Sequence, residues 1–339
     1  MSKKLALWLV AAAFALTMTA SAQNVSPLNF KERTLANDLK VITLKDNSSP
    51  TVTVQVWYNV GSKDDPQGRS GFAHLFEHLM FKSTKNMKSE MFDRLTEDVG
   101  GENNASTSDD RTEYHELIPS NYLETLLWAE AERMLNLNVD ETNFKSERDV
   151  VKEEYRQSVL ANPYGRFFDA IQKRSYTVHP YQRPTIGNID ELNAASLEDV
   201  RSFYKTFYRP DGATLIVVGD FEQNQLDAWV DKYFGRIQKT DGLIPRVTAV
   251  EPARTAERRF NETAPNVPLP GVALTYLAPP SGNADNAALK VAQAILSEGE
   301  SSRLYQQLVY KQQVAQEATF FNDERADGGL LVFYAIAAG

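Results

Sequence analysis

Cysteine is absent from the 339-residue sequence, and cationic side chains are in deficit. Without cysteine there are no disulfide bonds, and a metal ion can be bound only through histidine and carboxylate side chains. The 36 Lys and Arg residues face 45 Asp and Glu residues, which gives a formal net charge of −9. That balance disfavours nucleic acid or an anionic membrane as a partner.

Long apolar runs are also missing after residue 22, so we expect no stable membrane insertion. Residues 1–22 are typical of an export signal: Lys3 and Lys4 precede the apolar stretch Leu5–Met18, and Ala20-Ser21-Ala22 supplies a cleavage site. No cysteine follows that site to carry a lipid anchor. We therefore expect an exported chain, periplasmic or secreted, whose mature form has lost two lysines and is more acidic.

Histidine is scarce, yet two of the four histidines lie four residues apart in the stretch Gly71–Phe81. At helical period this stretch has two stripes, one of Phe72, Leu75, Phe76 and Leu79, the other of His74, Glu77, His78 and Phe81. A helix that is apolar on nearly every side is buried. Two imidazoles and a carboxylate inside the protein would cost several kcal/mol unless something satisfies them.

One zinc ion per chain would satisfy them, because His74 and His78 are one helical turn apart. Glu77 is placed to take a proton from a water on that ion. The arrangement H-x-x-E-H is the inverted form of a catalytic zinc motif. The alternative, a chance match of two core histidines bonded to backbone carbonyls, is disfavoured by the scarcity of histidine.

A catalytic zinc site uses three protein ligands, so one more is needed. The other histidines, His115 and His179, are expected to serve the fold. In the predicted helix Glu141–Val159, the residues sharing one face are Glu147, Val150, Val151 and Glu154, while Glu153 points away. Glu154 is therefore a candidate ligand, and an acid in a salt bridge at a helix interface is an equally good interpretation. Glu147 suits an acid that hydrogen-bonds a ligand, or one favoured at a helix start.

The order of predicted elements indicates an α+β fold with helices packed on one face of a mainly antiparallel sheet. Strands come first, helices follow, one of them with a Ser196/Asp199 capping box, and the strand Ala213–Val218 comes late. Because the mature chain is long for one core, we predict two domains, residues 23–240 and 241–339. Residues 239–270 are predicted as a connection containing a strand or two.

From Val272 the order of elements repeats, so the fold is predicted to be duplicated, with an incomplete second copy. In that copy the counterpart of the motif helix, residues 288–296, has neither His nor Glu. The second copy is therefore predicted to have no metal site.

Two motifs carry a resemblance to a known family: His74-x-x-Glu77-His78 and Glu147-Arg148-x-Val150-Val151-x-x-Glu154. With them the chain, from Asn29 to Gly339, resembles the pitrilysin family of zinc metallopeptidases, which includes insulin-degrading enzyme and the mitochondrial processing peptidase. The resemblance implies zinc bound by His74, His78 and Glu154, with Glu77 as general base and Glu147 as a supporting acid. It also implies a zinc metalloendopeptidase acting on peptide substrates.

The segment Gly100-Gly101-x-x-Asn104-Ala105-x-Thr107 is similar to the edge strand of that family. The resemblance implies that Asn104 and Ala105 lie alongside an extended peptide added to the sheet edge. The alternative for Asn104 is an ordinary polar residue on a strand edge.

The second copy departs from the family, whose active members use an Arg and a Tyr there to hold the substrate carbonyl. Val309 and Gln316 stand at the matching positions. We therefore expect a homologous subunit or a C-terminal half to supply that pair. The alternative functions are a non-catalytic peptide-binding or assembly subunit that retains zinc, and a metallohydrolase acting on other substrates.

Overall fold

The computed structural model describes residues 27–339, so the predicted export signal lies outside the described residues. The strands are β1 (Lys31–Thr34), β2 (Lys40–Lys45), β3 (Thr51–Tyr58), β4 (Glu102–Thr107), β5 (Thr112–Pro119), β6 (Ala213–Gly219), β7 (Gly271–Leu277), β8 (Ala315–Asp323) and β9 (Leu330–Ala337). The helices are α1 (Phe72–Leu79), α2 (Met91–Glu97), α3 (Leu123–Asn136), α4 (Glu141–Tyr155), α5 (Gly165–Ser175), α6 (Ile189–Ala194), α7 (Leu197–Phe207), α8 (Gln223–Tyr233) and α9 (Asp285–Ser297). Two π-helical turns, Arg156–Ala161 and Tyr305–Lys311, and four short 3-10 turns are also present.

The first sheet has the strand order β1-β2-β6-β3-β5-β4, and every neighbouring pair is antiparallel except β2 with β6. Alternate residues of β3, from Val52 to Tyr58, are buried on one face, as the period of two requires. The helices α1 and α3 pack near that face. The prediction of an α+β fold with a mainly antiparallel sheet is therefore confirmed. We call residues 31–233 the first unit.

The second sheet has the order β7-β9-β8, all antiparallel, with α9 packed on β8. Its sequence of strand, helix, strand, strand repeats that of β3, α1, β4 and β5, which confirms the predicted duplication with a smaller second copy. We call residues 271–337 the second unit. On β7 the side chains of Val272, Leu274 and Tyr276 are more than half exposed.

Residues 234–270 connect the two units, and the prediction that they contain a strand or two is wrong. Five prolines lie between residues 245 and 270, and each lacks the N–H that a strand ladder needs. The segment is instead held by side chains: Glu251 accepts hydrogen bonds from the backbone of Thr177, Val178 and His179, and Arg254 donates to Ser175 O. The division of the chain at residue 240 stays a prediction.

Within the described residues, no helix has both the length and the apolar character that a membrane crossing requires.

A fully buried arginine on α3 connects that helix to β5. The Arg133 guanidinium donates to Glu116 Oε1 at 2.8 Å and to Glu130 Oε2 at 2.9 Å, and none of these side chains is exposed to solvent. It also stacks on the rings of Phe92 and Tyr114, 4.0 and 4.4 Å from their centroids. Burial and the neighbouring Glu130 carboxylate raise the pKa of Glu116. One arginine thus holds two acids inside the core of the first unit.

Replacing Arg133 with alanine is expected to lower the free energy of unfolding by about 3–5 kcal/mol, because it leaves buried carboxylates without their cation. The measurement is urea unfolding followed by circular dichroism. The control is Arg94→Ala, since Arg94 pairs with Asp98 on the exposed surface and should contribute less than about 0.5 kcal/mol. Equal losses in the two variants would contradict this account of the cluster.

Candidate metal centre

The helix α1 carries the H-x-x-E-H motif. Its start is held by hydrogen bonds to the Asp65 carboxylate and by close packing of two glycines. Asp65 accepts hydrogen bonds from Gly71 N at 2.7 Å and Ala73 N at 2.9 Å. Gly71 has a φ of 92°, and a Cβ at Gly187 would lie 2.5 Å from Gly71 Cα. Glycine is needed at both places, because a side chain there would be strained or would collide. These contacts fix where α1 begins and hence where the two histidines lie.

The helix α4 packs against α1 and brings the downstream acids to it. Asp140 caps its start by accepting from Asn143 N at 2.9 Å. Glu147 and Val151 are buried, as their predicted helical face requires. Val150, predicted on the same face, is 46% exposed, so that part of the prediction is wrong. The rest of the unit covers the side of α4 that carries Glu147 and Val151 and does not extend over Val150, which remains exposed to solvent.

Three candidate ligand atoms come together where α1 meets α4. His74 Nε2 lies 3.3 Å from His78 Nε2, and Glu154 Oε2 lies 3.6 Å from His74 Nε2 and 3.5 Å from His78 Nε2. A tetrahedral zinc ion with bonds of about 2.0–2.1 Å separates its ligand atoms by about 3.3–3.4 Å. The donor set of two imidazole nitrogens and one carboxylate oxygen therefore fits zinc. Among residues 27–339 these three residues form the group of His and acid side chains close enough to share an ion.

The protonation of the three side chains follows from their surroundings. Burial lowers the pKa of His74. Burial also opposes the charged form of His78, but the hydrogen bond and charge of Glu154, with the charges of Glu77 and Glu147, raise the pKa of His78. The hydrogen bond from His78 lowers the pKa of Glu154. Glu154 is therefore held as a carboxylate, the form that binds a cation.

Glu147 is buried behind His78. Its Oε2 lies 3.9 Å from His78 Nδ1, longer than a hydrogen bond, and its Oε1 accepts from Lys82 Nζ at 3.0 Å and Ser146 Oγ at 2.9 Å. A carboxylate facing Nδ1 favours the proton on that nitrogen and leaves the Nε2 lone pair for a metal. The position of Glu147 is compatible with the supporting role expected from the sequence. Sequence reasoning missed Lys82 and Ser146, although Lys82 follows His78 by one helical turn.

Glu77 lies between the two histidines in α1, and its side chain is partly exposed. In the part of the chain that the structure describes, no group donates a hydrogen bond to its carboxylate. Glu153, which the helical pattern placed outward, is exposed and pairs with Arg156 at 3.1 Å. Of the two adjacent glutamates, only Glu154 reaches the histidines.

The predicted substrate residues lie on β4, an outer strand of the first sheet that pairs only with β5. Asn104 is exposed, Ala105 packs against the core, and Ala105 N donates to Asn104 Oδ1 at 2.8 Å. β4 also packs against α1, so the sheet edge runs beside the motif helix.

The remaining histidines stay outside the ligand cluster. His115 lies on β5 opposite Asn104. His179 is buried, accepts from Tyr181 N at 3.2 Å and packs on the Tyr181 ring, with 4.0 Å between the ring centroids.

The fold and the donor set place this chain among the relatives of zinc peptidases that carry the inverted motif H-x-x-E-H. The chain belongs to the insulinase family, peptidase family M16. The family model "Insulinase (Peptidase family M16)" matches residues 40–188, and "Peptidase M16 inactive domain" matches residues 194–339. The predicted relationship to pitrilysin and the processing peptidases is confirmed.

Individual relatives agree with the family models. The chain is 35% identical over 304 residues to zinc protease PqqE of Helicobacter pylori, covering 89% of this chain and 68% of the relative. A crystal structure of a protease from Helicobacter pylori superimposes with a TM-score of 0.87 at 33% identity, covering 92% of this chain and 75% of that one. Cytochrome b-c1 complex subunit 1 of Rattus norvegicus is 26% identical over 264 residues, covering 77% of this chain and 54% of the relative.

Replacing Glu154 with glutamine is expected to lower zinc affinity by more than about 100-fold, because a first ligand is lost rather than a supporting contact, for which 10–100-fold is typical. Glu153→Gln is the matched control and should bind about one zinc per chain like the parent. Both can be measured by titration against a zinc buffer, with elemental analysis of the dialysed protein. Zinc bound equally well by the two variants would remove Glu154 from the site.

Proposed function

We propose that this chain is the zinc-binding catalytic part of a metalloendopeptidase that hydrolyses extended peptides. The observation that carries the proposal is the triangle of His74, His78 and Glu154 ligand atoms, with sides of 3.3–3.6 Å, next to the Glu77 carboxylate, which has no pairing partner among residues 27–339. A structural zinc site is closed by four protein ligands and has no use for a neighbouring base. The relative named zinc protease PqqE supports the same activity.

One zinc ion would be held by His74 Nε2, His78 Nε2 and Glu154 Oε2. When bound, zinc would act as a Lewis acid that polarises a carbonyl and lowers the pKa of a bound water to about 7. His78 is oriented for this by Glu147, whose carboxylate is itself fixed by Lys82 and Ser146. The ligand geometry is therefore set before substrate arrives.

Glu77 would act as general base. It takes the proton of the attacking water at its carboxylate and then delivers that proton to the nitrogen of the leaving amine. Its position supports the role, because it follows His74 by three residues and precedes His78 by one on the same short helix. Proton transfer by a positioned side chain contributes about 10² to 10⁴ in rate.

The substrate would add to the free edge of β4 as a further antiparallel strand, with main-chain hydrogen bonds giving affinity. Asn104 and Ala105 would lie alongside it. Because Ala105 N donates to Asn104 Oδ1, a peptide carbonyl that bonds this N–H must displace the Asn104 side chain. Asn104 would then be free to contact the peptide.

The groups that hold the substrate carbonyl would come from a homologous subunit or a C-terminal half. In the second unit Val309 lies in the π-helical turn Tyr305–Lys311 and Gln316 lies on β8. Neither side chain provides the guanidinium or phenol of active family members. The relative named as a subunit of the cytochrome b-c1 complex supports the expectation that proteins of this type assemble with other chains.

A second candidate function is a peptide-binding or assembly subunit that keeps zinc and does no chemistry. The missing Arg and Tyr side chains favour this candidate. The carboxylate of Glu77, which accepts no hydrogen bond in the described residues, opposes it. Cleavage of a quenched peptide by zinc-loaded protein in the presence of its complementing partner separates the two.

Export to the periplasm or the medium remains part of the proposal. It rests on the basic, apolar and small-residue succession of residues 1–22.

Glu77→Gln is expected to retain zinc and to lose about 10²–10⁴-fold in peptide cleavage, because glutamine keeps the shape but accepts no proton. Zinc content and initial rates on a quenched peptide, with the complementing partner present, are measured together. Glu153→Gln on the neighbouring helix serves as the active control. Retained activity in the Glu77 variant would rule out the proposed base.

Addition of a homologous chain that contains the Arg and Tyr but no histidine pair is expected to raise the cleavage rate by at least about 100-fold, since carbonyl-holding groups typically contribute 10²–10³. Size-exclusion chromatography with light scattering shows whether a complex forms. Ordinary enzyme rates from the 339-residue chain as a monomer would contradict the need for a partner.

A further inference from the structure

A polar cluster joins the β4–β5 hairpin to the second unit. We define it as the hairpin clamp: Lys63, Asp109, Asp110 and Tyr181 from the first unit, with Arg325, Ala326 and Asp327 from the β8–β9 turn. Asp110 Oδ1 accepts from Tyr181 Oη at 2.6 Å and lies 2.8 Å from Lys63 Nζ, and Asp110 Oδ2 accepts from Ala326 N at 2.8 Å. One carboxylate thus binds three groups from three separate segments.

The other members close the clamp. Arg325 Nη1 lies 3.2 Å from Asp109 Oδ1, Asp327 N donates to Tyr181 Oη at 3.0 Å, and Lys63 Nζ lies 2.9 Å from Asp327 Oδ2. The Arg325 side chain is only 8% exposed, and Tyr181 is fully buried. Charged hydrogen bonds in such surroundings are stronger than exposed pairs, because the local dielectric is low.

The clamp holds the turn of the hairpin that carries the proposed substrate strand. Asp109 and Asp110 lie between β4 and β5, four to six residues after Asn104 and Ala105. β4 has only β5 as a strand neighbour, so its free edge depends on how the hairpin is anchored. On the first-unit side, Ser62 N and Lys63 N donate to Ser108 O and Asp109 O, both at 3.1 Å. In the second unit, Ala326 and Arg325 contact the side chains of Asp110 and Asp109 in the same turn.

We infer that the β8–β9 turn of the second unit positions β4 for substrate, through Asp109 and Asp110. These are positioning residues: no member of the clamp hydrogen-bonds or pairs with His74, His78 or Glu154 in the described part of the chain. The inference rests on the proposed role of β4 as the strand to which peptide adds. It gives the second unit a task in substrate binding although it has no metal site of its own.

The test compares peptide length in a Glu77→Gln background, which binds without cleaving. Asp110→Ala is expected to weaken a twelve-residue peptide about tenfold, since such a peptide pairs along the whole strand, and a four-residue peptide less than about twofold. Asp110→Asn, which keeps one acceptor oxygen, should lose less. Glu222→Ala, which removes an exposed pair with Lys45, is the control and should change neither. Fluorescence anisotropy of labelled peptides gives the affinities.

Hydrogen exchange without peptide separates this inference from the proposed function. The amides of β4 should exchange at least about tenfold faster in Asp110→Ala and in Arg325→Met, a variant on the second-unit side, with zinc content unchanged. Unaltered exchange, or equal loss of short and long peptides, would overturn the inference. If the parent bound neither peptide, the proposed role of β4 would fail, and the exchange rates alone would decide whether the second unit fixes the hairpin.

Discussion

The structure depends on the burial of α1 with three polar side chains on it. Phe72, Phe76 and Leu79 place the helix in the core of the first unit, so its other side cannot turn fully to water. The two imidazoles there would destabilise the fold by several kcal/mol without partners, whereas Glu77 is partly exposed to solvent. The acids of α4 provide partners for these imidazoles. The distances among the Nε2 and Oε2 atoms match the spacing of ligand atoms around a tetrahedral zinc ion.

The motif helix and its acids could be predicted because both signals are periodic. Positions 74 and 78 are one turn apart whatever surrounds them, and 100° per residue separates Glu154 from Glu153 without knowledge of the fold. The capping box of Ser196 and Asp199 is local for the same reason, and the structure confirms it with reciprocal hydrogen bonds. Signals within one helix survive because tertiary packing does not change their spacing.

Helical periodicity could not predict how much of a helix face is covered, or which residues from distant parts of the chain come into contact. The helical period gives the direction of Val150 but not how far the neighbouring core extends, and that residue is exposed. Lys82 meets Glu147 only because the segment that follows α1 lies beside α4, 65 residues apart in sequence. The connection of residues 234–270 shows the same limit, since its ordering comes from side chains such as Glu251 and Arg254 on distant backbone.

The two functions proposed for the first unit depend on different supports. The candidate metal ligands lie on helices that contact each other within one core, and Asp65, Glu147 and Lys82 belong to that same unit. The strand β4 lies at the edge of the sheet, where one side is open and its turn is tied to the β8–β9 turn. A chain can therefore keep the candidate ligands together while its proposed substrate edge depends on its own second unit and the carbonyl-holding groups depend on a further polypeptide. Under the proposed function, the grouping of His74, His78 and Glu154 needs only packing within the first unit, whereas the carbonyl-holding groups expected at positions 309 and 316 belong to a different part of the protein.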